Sequence, residues 1–130
     1  MVNDPISNML SQLKNAASVG KTQVVIPFSQ LKLAILKILV DQNYLKNVTK
    51  RQRKNRAYLY VDLEFANDRP KITEIERISK PSRRIYVRAD DIRPIRGGTG
   101  MAIVSTSAGI MVASEAKKQK LGGELLCQVW

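Results

Sequence analysis

Residues 57–65 read AYLYVDLEF, and their alternation is unbroken. Leu59, Val61, Leu63 and Phe65 fall on one face of an extended chain; Tyr58, Tyr60, Asp62 and Glu64 fall on the other. A strand of this kind offers one face to a core and one to water, so another layer must cover its apolar side. Upstream segments supply that layer. In DPISNMLSQLKNAASVG, Ile6, Met9, Leu10, Leu13 and Ala17 recur at helical spacing. Asp4 suits the N-cap, Pro5 the first helical position, and Gly20 a left-handed close. A short strand, TQVVIP, stops at Pro27. FSQLKLAILKILVDQNYL then predicts a second helix, capped by Ser29 and apolar around most of its circumference, so it is expected to be the buried helix of this half.

The following segments are shorter. Residues 46–56, KNVTKRQRKNR, hold six basic side chains and no acidic one. They read either as a solvated loop or hairpin end, or as a phosphate-contacting edge. KITEIERI, residues 71–78, is expected to pair back as a strand, although Ile72, Ile75 and Ile78 are not spaced by two. SKPSRR reads as a connector and IYVRADDIRPI as a strand followed by a turn. GMAIVSTSAGIMV predicts two strands joined at a hydroxyl-rich loop. SEAKKQKLGG predicts a short helix with Ser114 as N-cap and Gly122 as its stop, and ELLCQVW a final strand. The expected fold class is α+β in two small domains. Residues 1–78 place two helices on a short sheet; residues 79–130 are β-rich with one short helix.

Composition narrows the function. With 22 Lys and Arg against 11 Asp and Glu, the 130-residue chain carries a net charge of +11, which favours a polyanionic partner. An anionic membrane surface competes for the same charge. However, the longest apolar run, LAILKILV, is interrupted by Lys37 and too short to span a bilayer, and the first residues do not read as a signal peptide. A lone cysteine, Cys127, cannot form an intramolecular disulfide, which fits a reducing compartment. The chain has no histidine, which excludes His-based triads and most catalytic zinc sites. No cofactor, metal or small-molecule substrate is expected.

Against this charge, residues 97–114 contain no ionisable side chain, and Ser105, Thr106 and Ser107 lie in their midst. GGTG at residues 97–100 invites a nucleotide-binding enzyme, but no Lys-Ser or Lys-Thr follows it and a strand comes next. The hydroxyls have no nearby base to make them nucleophiles. A DNA-binding regulator would need a recognition helix, and SEAKKQK has no helix-turn-helix partner. Recognition at short range fits better. Hydroxyls and free backbone groups meet base edges, sugar hydroxyls and phosphates at distances that long cationic side chains prevent. RISKPSRRIYVR adds Arg77, Lys80, Arg83, Arg84 and Arg88 around Tyr86. That tyrosine is either a core residue or a stacking surface for an unpaired base.

RISKPSRRIYV, GTGMAIVSTSAGIM, EAKK and GGELLCQVW, in this order, resemble the C-terminal half of the bacterial-type ribosomal small-subunit protein eight family. DPISNMLSQLKNA is similar to that family's first helix. The chain departs from the family at Ser82, where Gly is usual, at Thr99, and at Asn8 and Lys14 in the first helix. The resemblance implies two small α+β domains, with direct binding to an irregular stem in the central domain of small-subunit ribosomal RNA and organisation of the subunit platform. Small-subunit proteins five and twelve are implied as neighbours, and the cytoplasmic ribosome as the location, an organellar ribosome being equally compatible. Some members also repress their own operon through a similar stem in its messenger RNA. By the same resemblance, Ser105, Thr106 and Ser107 form the main recognition element and Gly122, Gly123 and Glu124 an adjacent surface. Tyr86, Ser79, Lys80 and Pro81 flank the site with the neighbouring Arg84. Lys32, Lys54 and Arg56 are candidates for backbone contacts from the N-terminal half.

Overall fold

The computed structural model describes residues 4–92 and 100–130. Two compact units divide the chain: Asn8–Thr73, and Glu74–Trp130 together with the residues up to Ser7. The architecture is α+β, with helices on an antiparallel sheet in the first unit and a β-rich second unit with one short α-helix. No helix among the described residues is long and apolar enough to cross a membrane.

In the first unit, α1 (Pro5–Ser18) precedes β1 (Gln23–Pro27), α2 (Gln30–Asp41), β2 (Leu45–Arg53) and β3 (Arg56–Leu63). The strands form an antiparallel sheet in the order β1-β3-β2. Leu59 and Val61 of β3 are wholly buried, as are Leu13 of α1 and Ile35, Leu36 and Leu39 of α2. The alternation in β3 thus does what a one-sided strand must: its apolar residues enter the core beneath the helices. Cap residues fix the helix starts. Asp4 Oδ1 accepts the Ser7 amide at 3.2 Å, and Ser29 Oγ accepts the Lys32 amide at 3.1 Å. Gly20, at φ +77°, ends α1, with its own amide on Ala17 O and the Lys21 amide on Ala16 O.

One sequence expectation is narrowed here and another corrected. Residues 46–56 are a hairpin end rather than a loop: they supply most of β2, the turn Lys54–Asn55 and the first residue of β3. Both turn residues have positive φ, +49° and +67°, as a two-residue hairpin of mirror-image type requires. β2 is an edge strand with only Leu45 fully buried, so it needs little of the apolar alternation that marks a strand in sequence. KITEIERI does not pair back on β3. Instead β4 (Phe65–Ala66) and β5 (Arg69–Pro70) make a small hairpin, and only Ile75–Arg77 is a strand, β6, paired with the last strand of the chain. Its isoleucines anchor locally: Ile72 and Ile75 are both buried without sharing a strand.

In the second unit, β7 (Tyr86–Val87) leads into a 3-10 turn (Ala89–Asp91). β8 (Met101–Thr106), β9 (Gly109–Val112), α3 (Ala113–Lys118) and β10 (Gly123–Val129) follow. β10 is the hub, with β8 along one edge and β6 and β7 in succession along the other. Its register on β8 slips between Leu125 and Cys127. Ala113 and Ala116 of α3 pack with Ala102, Val104 and Ile92, and these small side chains let the short helix lie close to the sheet. Arg77, largely buried, donates from Nη1 to Leu126 O at 2.8 Å and pairs through Nε with Asp4 Oδ2 at 3.2 Å.

The helix expected over SEAKKQK also starts and ends differently. Val112 holds the cap position with no side-chain hydrogen bond, and Ser114 lies inside the first turn. The stop is Lys120 at φ +58°, where the Lys120 amide reaches Lys117 O and the Leu121 amide reaches Ala116 O. Gly122 lies beyond it, for a reason that the candidate site supplies.

Candidate nucleic-acid interface

β8 and β9 meet in a two-residue turn, Ser107 and Ala108, bracketed by the pair Thr106↔Gly109. Neither central residue has a positive φ, so Gly109, at φ +120°, absorbs the twist that a mirror-image turn would otherwise provide. Thr106 braces this turn from within. Its hydroxyl donates to Gly109 O at 2.8 Å and accepts the Ala108 amide at 3.1 Å. The hydroxyls of Ser105 and Ser107 have no hydrogen-bond partner among the described residues. The three hydroxyls therefore divide: the middle one builds the loop, and the outer two remain open to a ligand.

The pairing registers extend the site across the sheet. Tyr86 pairs with Glu124, Glu124 with Ser105, and Ser105 with Ile110, so these four residues form one row on one face. Tyr86 is 69% exposed. It is a surface ring, which removes the reading of a core tyrosine. A terminal nitrogen of Arg84 donates to both carboxylate oxygens of Glu124 at 3.2 Å. The Glu124 side chain is only 14% exposed and that of Arg84 is 53% exposed. A carboxylate in this row would repel a polyanion; the guanidinium offsets that charge and leaves oxygen lone pairs for an amine or sugar hydroxyl.

The two glycines before Glu124 are steric requirements. A Cβ on Gly123 would overlap the carbonyl oxygen of Ser105, and one on Gly122 would lie 2.6 Å from Val87 O. Backbone from β7, β8 and β10 converges here too closely for any side chain. That close approach, rather than helix termination, is the physical role of the pair.

Ser79, Lys80 and Pro81 lie at a neighbouring turn. The amides and carbonyls of Lys80 and Arg83 bond reciprocally at 2.9 Å around Pro81 and Ser82. Ser82 has no positive φ, so this turn does not require a glycine. Lys80, Pro81, Arg83 and Arg84 are exposed. Ser79 is not: it is wholly buried, its Oγ accepting the Ile85 amide at 2.7 Å and donating to Ile85 O at 3.2 Å. It shapes the turn, and its side chain is closed to a ligand. The second unit thus brings together Ser105, Thr106, Ser107, Gly122, Gly123, Glu124, Tyr86 and Arg84, with Lys80 and Pro81 at the adjoining turn.

The remaining candidates lie in the first unit. Lys32 Nζ donates to Pro27 O at 3.4 Å, Lys54 is in the β2–β3 turn, and Arg56 opens β3. Of the GGTG segment only Gly100 is among the described residues. Among the described residues no three His, Cys, Asp or Glu side chains group as metal ligands. Ile110 completes the row and had no sequence signal, because its place depends on the register of β9.

Comparison with known proteins agrees over the full length. The model of the family described as ribosomal protein S8 matches residues 4–130. The small ribosomal subunit protein uS8 of Roseiflexus castenholzii is 42% identical over 130 residues, covering 99% of this chain and 98% of that protein. The protein of the same name from Dechloromonas aromatica is 43% identical over 128 residues, covering 98% of each. That of Persephonella marina is 40% identical over 136 residues and covers both completely.

Proposed function

The chain belongs to the ribosomal protein S8 family, structural constituents of the small ribosomal subunit, and from that premise we propose that its C-terminal unit is the surface that docks on ribosomal RNA. The observation that carries this reading is the row Tyr86–Glu124–Ser105 beside an internally braced turn with two open hydroxyls. The partner is an irregular stem of the central domain of small-subunit RNA. Unpaired bases there can stack on Tyr86 and expose their edges and 2′-hydroxyls to Ser105, Ser107 and Glu124. Lys80, Arg83 and Arg84 add the salt-sensitive attraction that any phosphate backbone feels. Binding of this kind organises the subunit platform next to small-subunit proteins five and twelve in the cytoplasm, and a similar stem in the operon's own messenger RNA competes for the same surface. No chemical step is assigned to the protein. Neither a nucleotide-binding enzyme nor a DNA-binding regulator gains support: α3, formed by the segment considered as a recognition helix, is six residues long.

The test is binding at fixed, moderate salt to a central-domain stem and to a length-matched scrambled duplex. Replacing Ser105 and Ser107 together by Ala removes two hydroxyls at about 1 kcal/mol each and is expected to weaken the stem about 10- to 30-fold while sparing the duplex. Thr106→Ala is a poorer probe because it unbraces the turn. Equal affinity of the unaltered protein for stem and duplex would overturn the reading.

A further inference from the structure

The three-stranded sheet of Asn8–Thr73 has a second face, opposite the one that buries Leu59 and Val61. The registers of β1, β3 and β2 set out its rows. Arg56 and Arg53 lie beside the β2–β3 turn; Pro27, Tyr58 and Arg51 come next; then Val25, Tyr60 and Thr49. Val25 is 41% exposed, Pro27 and the three arginines are exposed, and both tyrosines are half-buried. The arginines are arranged around the rings. The Arg51 guanidinium lies 5.2 Å from the centre of the Tyr60 ring, and Arg53 Nη1 donates to Tyr60 Oη at 3.2 Å. A cleft of about 270 Å³ lined by Pro27, Phe28, Arg56 and Tyr58 adjoins this face. Asp62, further along β3 on the same face, is engaged by the Gln23 amide at 2.9 Å.

We propose that this face is a second, sequence-tolerant platform for an unpaired RNA strand. Tyr58 and Tyr60 are two residues apart, about 7 Å along an antiparallel strand. They present flat surfaces to successive bases, Tyr58 directly and Tyr60 through the guanidinium that lies over it. Every base has a π-face, and guanidinium planes stack on bases as aromatic rings do. Arg53 and Arg56 hold the phosphates at the turn end of the face. A duplex hides its π-faces and cannot use the rings, and an acidic peptide would use the cations without the stacking. The inference rests on RNA being the protein's partner, but it concerns a surface separate from the hydroxyl turn.

The full-length protein is titrated with a short, unstructured oligouridylate at fixed moderate salt, and with the central-domain stem in parallel. Tyr58→Ala is expected to weaken oligouridylate binding about tenfold, with Tyr58→Phe restoring it because the ring alone is needed. Circular dichroism of each variant checks the fold. If the oligouridylate does not bind, or binds Tyr58→Ala as well as the unaltered protein, the platform is overturned. Displacement by oligoglutamate of equal charge would also overturn it, because charge alone would then explain the binding. The stem titration reports on the other interface, so failure of one reading is distinguishable from failure of the other.

Discussion

At the scale of the residue, the densest information lies in Ser105, Thr106, Ser107 and the two glycines facing them. The hydroxyl triplet is visible in sequence as a polar island in an uncharged stretch. Its division of labour is not, because that depends on which residue pairs with Gly109 across the turn. The glycines are similar: GG before a strand reads as a helix stop, and only the approach of Val87 and Ser105 shows that bulk is what is excluded. Gly123→Ala is therefore expected to lower stability by about 2–4 kcal/mol, because the added methyl meets backbone that cannot move aside. Urea unfolding followed by circular dichroism checks it; a loss below about 0.5 kcal/mol would mean that the strands separate more easily than this packing implies.

Among the elements, three helices end in the same way and do so with three different residues. Gly20, Asn43 and Lys120 each take a positive φ, and in each case the next amide reaches back to a carbonyl five residues earlier. Glycine and asparagine adopt that conformation readily; lysine is strained by its Cβ. Lys120→Gly is expected to stabilise the protein by about 0.5–1 kcal/mol, read as a rise in melting temperature; no change or a fall would show that the Lys120 side chain compensates for the strain. The same contrast explains what was legible. Asp4, Ser29 and Gly20 announce α1 and the start of α2, because caps are local chemistry. The end of α3 falls on a residue that signals nothing. β2 was hidden for a related reason: an edge strand whose outward side chains are Lys46, Arg51 and Arg53 has the composition of a loop. Consequently the open sheet face, one of whose three strands is β2, could not be assembled from the sequence even though Tyr58 and Tyr60 fall on one side of β3 there.

For the whole molecule, Cys127 ties the state of a single proton to unfolding. The thiol is completely enclosed at the centre of β10, and burial raises its pKa to about 12 against a smaller opposing pull from Arg77. An unfolded thiol ionises from about pH 8.5, so between there and 12 the unfolded chain binds fewer protons than the native one, and stability must fall as pH rises. Unfolding at pH 7 and pH 10 is expected to show about 1–2 kcal/mol more loss for the unaltered protein than for Cys127→Ala, in which lysine titration is common to both. Parallel losses would indicate that the thiol is reached by water. The strand that holds this cysteine has a further consequence. β10 is synthesised after β6, β7 and β8, and until it exists those three strands have no common neighbour. A nascent chain can close the β2–β3 and β8–β9 hairpins as soon as their strands have emerged, whereas Tyr86 has no link to Ser105 and Ile110 until Glu124 is in place. The row proposed to meet RNA is thus among the last features of the second unit to be completed, and a chain cut short before β10 lacks that row however well its earlier half has folded.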